Sequence, residues 1–312
     1  MPFKKAHWPG LDEREYRISQ GHDSAAALVC GGAVIAASAE ERFNRQKHSA
    51  KFPVGSIRDC LKQAGLRIED IDEIAHAFDY APYRKAFSLD PEGAEIYDRV
   101  YSREALLEHL RRYLPEFPPE RLHHVNHHLA HAASAYFTSG WDECLDIVID
   151  GMGETQSASV FHAREGKLDK LHGMSAYDSI GIFYSLITLH LGFDFNSDEY
   201  KIMGLAPYGD AARYRSFFDE AVRLLPNGLI AIPALRVNRS KEDRERHLET
   251  RNYIERHLGP PRDPAADIAD EHRDIAAALQ ERLDQAMLHI CGHFGKQTGL
   301  KKLALSGGVA LN

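Results

Sequence analysis

The sequence predicts an α/β protein built on a mixed sheet, and three observations support this fold class. Apolar strand patterns alternate with segments of helical periodicity along the 312 residues. Glycine turns at Gly31–Gly32 and Gly166 join neighbouring strand patterns as hairpins, which pair antiparallel. A long helical segment over 266–294 then leads to a last strand and a further glycine pair. Strands and helices that alternate in this way are typical of the α/β class.

The elements of the first half are assigned from local periodicity and turn residues. In chain order we expect a polar extension over 1–14, a meander of three strands (Tyr16–Ser19, AAALVC and AVIAASAE), an amphipathic helix over 54–65 ended by Gly65, a strand within IDEIAHAF, one helix over 94–113, a proline-rich loop and a helix over His127–Phe137. The glycines supply the left-handed conformations that hairpin turns and helix ends require.

The second half is assigned in the same way. We expect a central strand LDIVIDG, a hairpin of SASVFHA and KLDKLHGM, a buried helix over 180–192, an irregular polar segment over 194–209, a charged exposed insertion over 236–264, the long helix, and KLALSGGVALN as a strand that runs into a glycine turn. Residues 15–312 are expected to form one domain of two subdomains, approximately 15–145 and 146–312.

Composition narrows the class of protein. The formal net charge of −8 argues against a broad phosphate-backbone interface, so nucleic acid is not the expected partner. No apolar run approaches the ~20 residues of a membrane span, so no membrane interaction is expected. The first residues lack the apolar core of a signal peptide, and the four cysteines are scattered singly. These features predict a cytoplasmic location.

Two segments indicate a metal site. Residues 127–131 read HHLAH, which puts His127 and His131 at i and i+4, on one face of a helix. Residues 147–154 read IVIDGMGE, an apolar strand that ends at Asp150. Two imidazoles and one carboxylate suit Fe(II), Mn(II) or Zn(II). Because histidine pairs also occur in helix cores and interfaces, core histidines are the simpler alternative.

The order of strands and glycine turns is similar to that of the actin-like fold shared by sugar kinases and heat-shock ATPases. In that fold two glycine and acid turns hold phosphates, and a third Gly-Gly turn holds the adenosine. Gly21–Ser24, Asp150–Gly153 and Gly307–Gly308 are the candidates in this chain. Backbone amides in such turns can approach an anion.

Taken singly, the remaining motifs also have simpler interpretations. HDS in GHDSAAALV forms an Asx/ST turn readily, and the charged run EERFNRQKHSAKFP suits a solvated loop as well as an anion clamp. NSDEYKIMGLAPYG mixes polar and apolar residues, so a surface loop and a substrate loop are both open. The Gly-Gly pair in LSGGVALN is a common loop signal.

Taken together and in this order, the motifs resemble the O-carbamoyltransferase family, which includes the nodulation-factor, cephalosporin, novobiocin and tobramycin carbamoyltransferases. The motifs are HDSAAAL, EERFNRQKH, HHLAHAASAYF, IDGMGE, NSDEYKIMGLAPYG and SGGVALN. The resemblance covers roughly residues 16–312 and is weakest over 236–264. The family is in turn similar to the threonylcarbamoyl transferase that modifies tRNA.

The resemblance implies an enzyme that uses ATP and carbamoyl phosphate, with small-molecule hydroxyl acceptors as in antibiotic biosynthesis. A C-terminal YrdC-like domain makes carbamoyl-adenylate, and the N-terminal actin-like domain passes the carbamoyl group to the acceptor with the help of a divalent metal, which is iron in the members that this chain resembles best. By this resemblance His127, His131 and Asp150 match the metal ligands, and His22 and Lys47 match catalytic groups.

The other site residues are expected at the glycine turns and in the polar segment. For the nucleotide and the carbamoyl-adenylate they are Asp23, Ser24, Arg42, Gly151, Gly153, Glu154, Gly307, Gly308 and Asn312. For the substrate loop they are Asn196, Ser197, Glu199 and Lys201.

The resemblance also implies that the chain is C-terminally incomplete. It stops at SGGVALN, before a fourth metal ligand and before the adenylate-forming domain, which we expect from further residues or a partner chain. Alternatives are threonylcarbamoyl-type transfer to tRNA and a non-catalytic nucleotide-binding scaffold. A 2-His-1-carboxylate oxygenase fits less well, because the chain carries nucleotide turns and lacks a jelly-roll strand pattern.

Overall fold

The computed structural model describes residues 5, 9–11, 13–16 and 23–312. Most of the predicted first strand, together with Gly21 and His22, lies outside the described residues. The helices are α1 (Glu13–Tyr16), α2 (Glu41–Asn44), α3 (Val54–Ala64), α4 (Arg84–Phe87), α5 (Pro91–Ile96), α6 (Arg103–Tyr113), α7 (His127–Ser139), α8 (Ile180–His190), α9 (Glu199–Leu205), α10 (Arg215–Ala221), α11 (Lys241–Arg246), α12 (Leu248–Leu258) and α13 (Asp270–Thr298). The strands are β1 (Ala25–Cys30), β2 (Ala33–Ala39), β3 (Ile74–His76), β4 (Leu122–His124), β5 (Glu143–Ile149), β6 (Gln156–Arg164), β7 (Lys167–Ser175), β8 (Arg223–Leu224), β9 (Ile230–Ala231) and β10 (Leu303–Ser306).

The chain forms two compact units. The larger contains Met1–Ser19 and His128–Asn312, and the smaller contains Gln20–His127. Within the described residues, no helix is both long and apolar enough to cross a membrane. The assignment of 15–312 to one carbamoyl-transfer domain with two subdomains stays a prediction.

The smaller unit begins with the predicted hairpin. β1 and β2 pair antiparallel through Gly31–Gly32, and both glycines have positive φ. Helix α3 packs on this pair, where the buried Cys60 donates to the Ala26 carbonyl at 3.5 Å. Gly65 ends α3 in the left-handed conformation, as predicted. A second pair, β3 and β4, is parallel.

The predicted single helix over 94–113 is wrong. A π-helical turn over Tyr97–Tyr101 precedes a break at Ser102, and α6 begins at the next residue. The Ser102 hydroxyl accepts a hydrogen bond from the Ala105 N–H at 3.1 Å, so it caps the new helix. An N-terminal cap inside the helical pattern is the physical reason for the break.

The larger unit is built on a four-stranded sheet in the order β10-β5-β6-β7. β10 runs parallel to β5, whereas β5, β6 and β7 are antiparallel, so the predicted α/β mixed sheet is confirmed. Ile147 and Ile149 pack with Phe183 and Ile187 of α8 and with Leu279 of α13, all at most 2% exposed. Burial of each such side chain contributes about 1.5–3 kcal/mol.

Two segments of the larger unit differ from prediction. The stretch over 194–209 contains α9 and a 3-10 turn rather than an irregular loop. The stretch over 236–264 contains α11 and α12 rather than an exposed insertion, and α12 buries Thr250 and Ile254. Because these two residues are four positions apart, they lie on the same face of the helix, and this face is buried although the surrounding sequence is charged.

Candidate metal centre

Helix α7 carries the two candidate imidazole ligands. His128, Ala132 and Tyr136 recur every four residues and are at most 4% exposed, so they form the buried face of the helix. The His128 ring accepts or donates a 2.8 Å hydrogen bond at the Ser159 hydroxyl on β6, which ties this face to the sheet. His127 and His131 lie beside that face and remain partly exposed.

The candidate carboxylate ligand follows the central strand. The Asp150 N–H donates to the Ser157 carbonyl at 2.8 Å, which extends the β5–β6 pairing by one residue. Its Oδ1 accepts hydrogen bonds from the amides of Gly151 at 2.8 Å and Gly308 at 3.1 Å. Its Oδ2 lies 3.6 Å from His131 Nε2. One oxygen is therefore held by the backbone, and the other faces an imidazole.

The three predicted ligands lie together. One donor atom from each of His127, His131 and Asp150 lies within 4.8 Å of the other two. A tetrahedral site with metal–ligand distances of about 2.1 Å has edges of about 3.4 Å. The 3.6 Å between His131 Nε2 and Asp150 Oδ2 is close to that edge. The residues present thus fit a divalent metal, and metal binding itself stays a prediction.

His127 is held by neighbours in the smaller unit, of which it is the last residue. Its Nδ1 makes a 3.0 Å hydrogen bond with the Ala77 carbonyl, and its ring stacks on Phe78 at 4.1 Å between centroids. A carbonyl partner requires the proton on Nδ1, which leaves Nε2 as the metal-binding nitrogen. Burial lowers the pKa of nearby His76, and His124 and His127 lower it further.

The amides of Gly151 and Gly153 in the Asp150–Gly153 turn donate hydrogen bonds to the protein itself. The Gly151 N–H donates to Asp150 Oδ1, and the Gly153 N–H donates to the Gln156 carbonyl at 2.8 Å. The Glu154 side chain is buried. These amides support the turn in this structure, and their predicted contact with phosphate stays a prediction.

The predicted residues of the first turn lie in the smaller unit. Asp23 Oδ1 is 2.9 Å from His48 Nδ1, and Ser24 exchanges backbone hydrogen bonds with Ser49 and Glu40. Arg42 and Lys47 are exposed, on α2 and on the turn that follows it; His22 lies outside the described residues. His48 therefore helps to hold Asp23 in place, a structural role that was not predicted from the sequence.

Two carboxylates, those of Glu199 and Asp198, hold the residues predicted for the substrate loop. Glu199 Oε1 accepts from the Ser185 hydroxyl at 2.5 Å and from the Asn196 N–H at 2.7 Å. Lys201 forms an ion pair with Asp198 at 2.8 Å. Ser197 is partly buried in the same turn, and both Glu199 and Lys201 belong to α9 rather than to a loop.

The final glycine turn lies next to the carboxylate of Asp150, the candidate metal ligand. Gly307 has a φ of 90°, and a Cβ at this position would lie 2.3 Å from the Ile149 carbonyl oxygen. Asn312 exchanges side-chain hydrogen bonds of 2.7 and 3.1 Å with Gln280 on α13. Gly308 therefore contacts Asp150, whereas Asn312 contacts the long helix α13.

Asp146 is a buried acid that was not predicted as a notable residue from the sequence. Asp146 lies on β5 between Cys144 and Val148, which pack against α7, and its side chain is fully buried. Neither carboxylate oxygen has a hydrogen-bond partner among the residues that the structure describes. Burial raises the pKa of Asp146 to about 7. Strand alternation, which places Asp146 on the face of Asp150, was the available signal.

Comparisons with known proteins give one consistent result. Residues 16–312 match a family model described as carbamoyltransferase N-terminus. The chain is 37% identical over 295 residues to the nodulation protein NolNO of Sinorhizobium fredii, covering 93% of the chain and 41% of that protein. It is 32% identical over 309 residues to the uncharacterised protein sll1178 of Synechocystis, covering 93% and 49%. It is also 37% identical over 188 residues to the nodulation protein NolO of Bradyrhizobium diazoefficiens, covering 60% and 32%. The chain thus spans about half, or less, of the length of these relatives.

Proposed function

We propose, from the premise that the chain belongs to the carbamoyltransferase N-terminal family, that it is the carbamoyl-transfer part of a carbamoyltransferase. The carbamoyl donor is carbamoyl-adenylate, made from carbamoyl phosphate and ATP, and the acceptor is a hydroxyl group of a small-molecule natural product. The observation that carries this proposal is the cluster of His127, His131 and Asp150 inside the matched region. The similarity to two nodulation proteins extends over 295 and 188 residues, so the family match does not depend on a single motif.

The proposed fold is actin-like. An antiparallel hairpin opens the smaller unit, and an antiparallel meander with a parallel fourth strand forms the sheet of the larger unit. Glycine turns follow β5 and β10, at Asp150–Gly153 and Gly307–Gly308. We assign the adenylate to these turns, with Asp23, Ser24 and Arg42 at the first turn.

The metal is proposed to be Fe(II), with Mn(II) or Zn(II) as other candidates for the same ligands. His127, His131 and Asp150 would hold it. When bound, such an ion polarises the carbamoyl oxygen as a Lewis acid. The Gly151 and Gly308 amides keep Asp150 Oδ1 occupied, so Oδ2 is the oxygen offered to the ion.

The transfer step is assigned to side chains of the chain itself. The acceptor oxygen attacks the carbamoyl carbon and forms a new C–O bond, while the bond between that carbon and the phosphate oxygen breaks. AMP leaves with the bonding electron pair, and His22 takes the proton of the hydroxyl as general base. The Lys47 ammonium stabilises the oxyanion that develops on the carbamoyl oxygen. The residues around Glu199 are proposed to orient the acceptor.

The experiment supplies the chain with prepared carbamoyl-adenylate and a panel of hydroxyl compounds, with tRNA in the same panel. Mass spectrometry then detects the gain of one carbamoyl group. Lys47→Ala should lower the transfer rate, whereas the nearby exposed Lys51→Ala should leave it unchanged. His131→Ala should abolish transfer together with metal binding.

The outcomes separate the candidate functions. Transfer to tRNA from threonylcarbamoyl-adenylate, supplied in place of carbamoyl-adenylate, would favour a threonylcarbamoyl-type transferase if small molecules gain no carbamoyl group. Nucleotide binding without metal binding would favour a non-catalytic scaffold. In a protein that also carries the adenylate-forming domain, Lys47→Ala should spare carbamoyl-adenylate formation. Equal loss of both half-reactions would mean that Lys47 is structural.

A further inference from the structure

Gly308 meets Asp150 although 158 positions separate them in the chain. The parallel pairing of β10 with β5 sets Ser306 opposite Val148. The residues that follow each strand therefore arrive side by side at one edge of the sheet. There the Gly308 N–H donates to Asp150 Oδ1 at 3.1 Å.

This close approach depends on glycine. Gly307 adopts a φ of 90°, and any Cβ on it would collide with the Ile149 carbonyl oxygen at 2.3 Å. Gly308 then starts a 3-10 turn over Gly308–Leu311, so its N–H is not needed within that turn. The turn thus brings a spare amide donor to the carboxylate.

We propose that the Gly307–Gly308 turn is a positioning element of the metal centre. The Gly308 amide joins the Gly151 amide in holding Oδ1 of Asp150, and the two bonds fix the carboxylate plane so that Oδ2 faces His131. Gly308 acts through Asp150 and is a positioning residue rather than a ligand. This inference rests on the metal centre of the proposed function.

The first test compares two substitutions at one position. Gly308→Pro removes the N–H, and proline is tolerated at the first residue of a helical turn. Gly308→Ala keeps the N–H but adds a comparable Cβ, which would lie 3.0 Å from Asp150 Oδ1. Zn(II) affinity is measured for each folded variant by competition with a chromophoric chelator, and His131→Ala sets the limit for loss of a ligand.

The Pro variant should bind Zn(II) about 10–100-fold more weakly than the unaltered protein, as for other hydrogen-bond partners of metal ligands. The Zn(II) affinity of the Ala variant should lie between those of the Pro variant and the unaltered protein. Unchanged affinity in the Pro variant would overturn the proposal. Equal losses in the Ala and Pro variants would also overturn it, because crowding by the Cβ would then explain both.

A second measurement avoids any dependence on the folding of the Pro variant. In protein labelled at the glycine amides, the Gly308 resonance is identified by its loss in Gly308→Ala. It should shift during Zn(II) titration, while Gly299, a helix end with open space around it, should not. A Gly308 resonance that stays in place while Zn(II) binds would overturn the positioning role alone. Absence of Zn(II) binding in the unaltered protein would overturn the metal centre as well.

Discussion

Asp146 offers the sharpest test of the energetics of the larger unit. It is fully buried between α7 and the sheet, and its carboxylate has no hydrogen-bond partner within the described part of the chain. Such a group is costly when ionised, because burial removes it from water without a compensating charge. Asp146→Asn removes the ionisation while it keeps the size of the side chain.

The pH dependence follows from the two protonation states. Burial raises the pKa of Asp146 from 3.8 to about 7, so the native state keeps the proton over a range in which the unfolded chain has lost it. The stabilisation is complete below the unfolded pKa and is lost as the pH rises through the native pKa. A difference of about 3 pH units corresponds to about 4 kcal/mol in total, of which about 3 kcal/mol falls between pH 5 and 8.

The assay is urea unfolding between pH 5 and 8. The chain has two tryptophans, Trp8 and Trp141, and Trp141 lies two residues before β5. In a Trp8→Phe background its fluorescence reports on the unit that contains Asp146. Relative to the Asn variant, the parent should lose about 3 kcal/mol across this range. Asp169→Asn, an exposed acid on the same sheet, should change stability by no more than about 0.5 kcal/mol.

This reasoning would be refuted if the free energy of unfolding changed equally with pH in the Asp146 parent and in its Asn variant. Such a result would mean that the carboxylate is hydrated or charge-paired in solution. Removal of the pH-dependent loss by Asp169→Asn as fully as by Asp146→Asn would refute it too, since the effect would then arise from surface charge.

Three further changes test the packing by urea unfolding. Ile254→Ala should lower the free energy of unfolding by about 2–5 kcal/mol because α12 buries this side chain, whereas the exposed neighbour in Glu255→Ala should stay within about 0.5 kcal/mol. Gly307→Ala should cost about 1–3 kcal/mol through strain and the Ile149 carbonyl contact, and more than Gly299→Ala, where a Cβ meets open space. Glu199→Ala should cost about 2 kcal/mol, since two donors lose a charged acceptor. Equal losses within either matched pair, or an unchanged Glu199→Ala, would contradict the packing described.

The sequence predicted those parts of the fold whose signals are local. Strands β1 and β2, the hairpin of β6 and β7, and helices α3 and α8 follow apolar periodicity and glycine turns, and the structure confirms them. The segment around Glu199 looked like a loop because this acid is satisfied by Ser185, which lies on another helix. Segment 236–264 looked exposed because its buried residues, Asn238, Thr250, Ile254 and Arg262 among those described, are few among many charges.

The same distinction applies to the candidate site. The i, i+4 histidines and the acid at the strand end could be read from the sequence, and the structure brings their donor atoms together. The groups that hold these side chains could not be read from the sequence, because the Ala77 carbonyl and the Gly308 amide reach His127 and Asp150 only through tertiary contacts. The catalytic assignments of His22 and Lys47 stay predictions.

The parallel pairing of β10 with β5 joins two segments that the ribosome makes at different times. The ribosome makes Asp150 long before Gly308, and at about 5–20 residues per second the intervening 158 positions take on the order of 10 to 30 s. During that interval β5, β6 and β7 can already pair as neighbours in the chain, whereas contacts of such long sequence separation form late. Until β10 docks, the Gly151 amide can already hold Asp150 Oδ1, and the Gly308 amide would complete the hydrogen bonding of this oxygen late in folding.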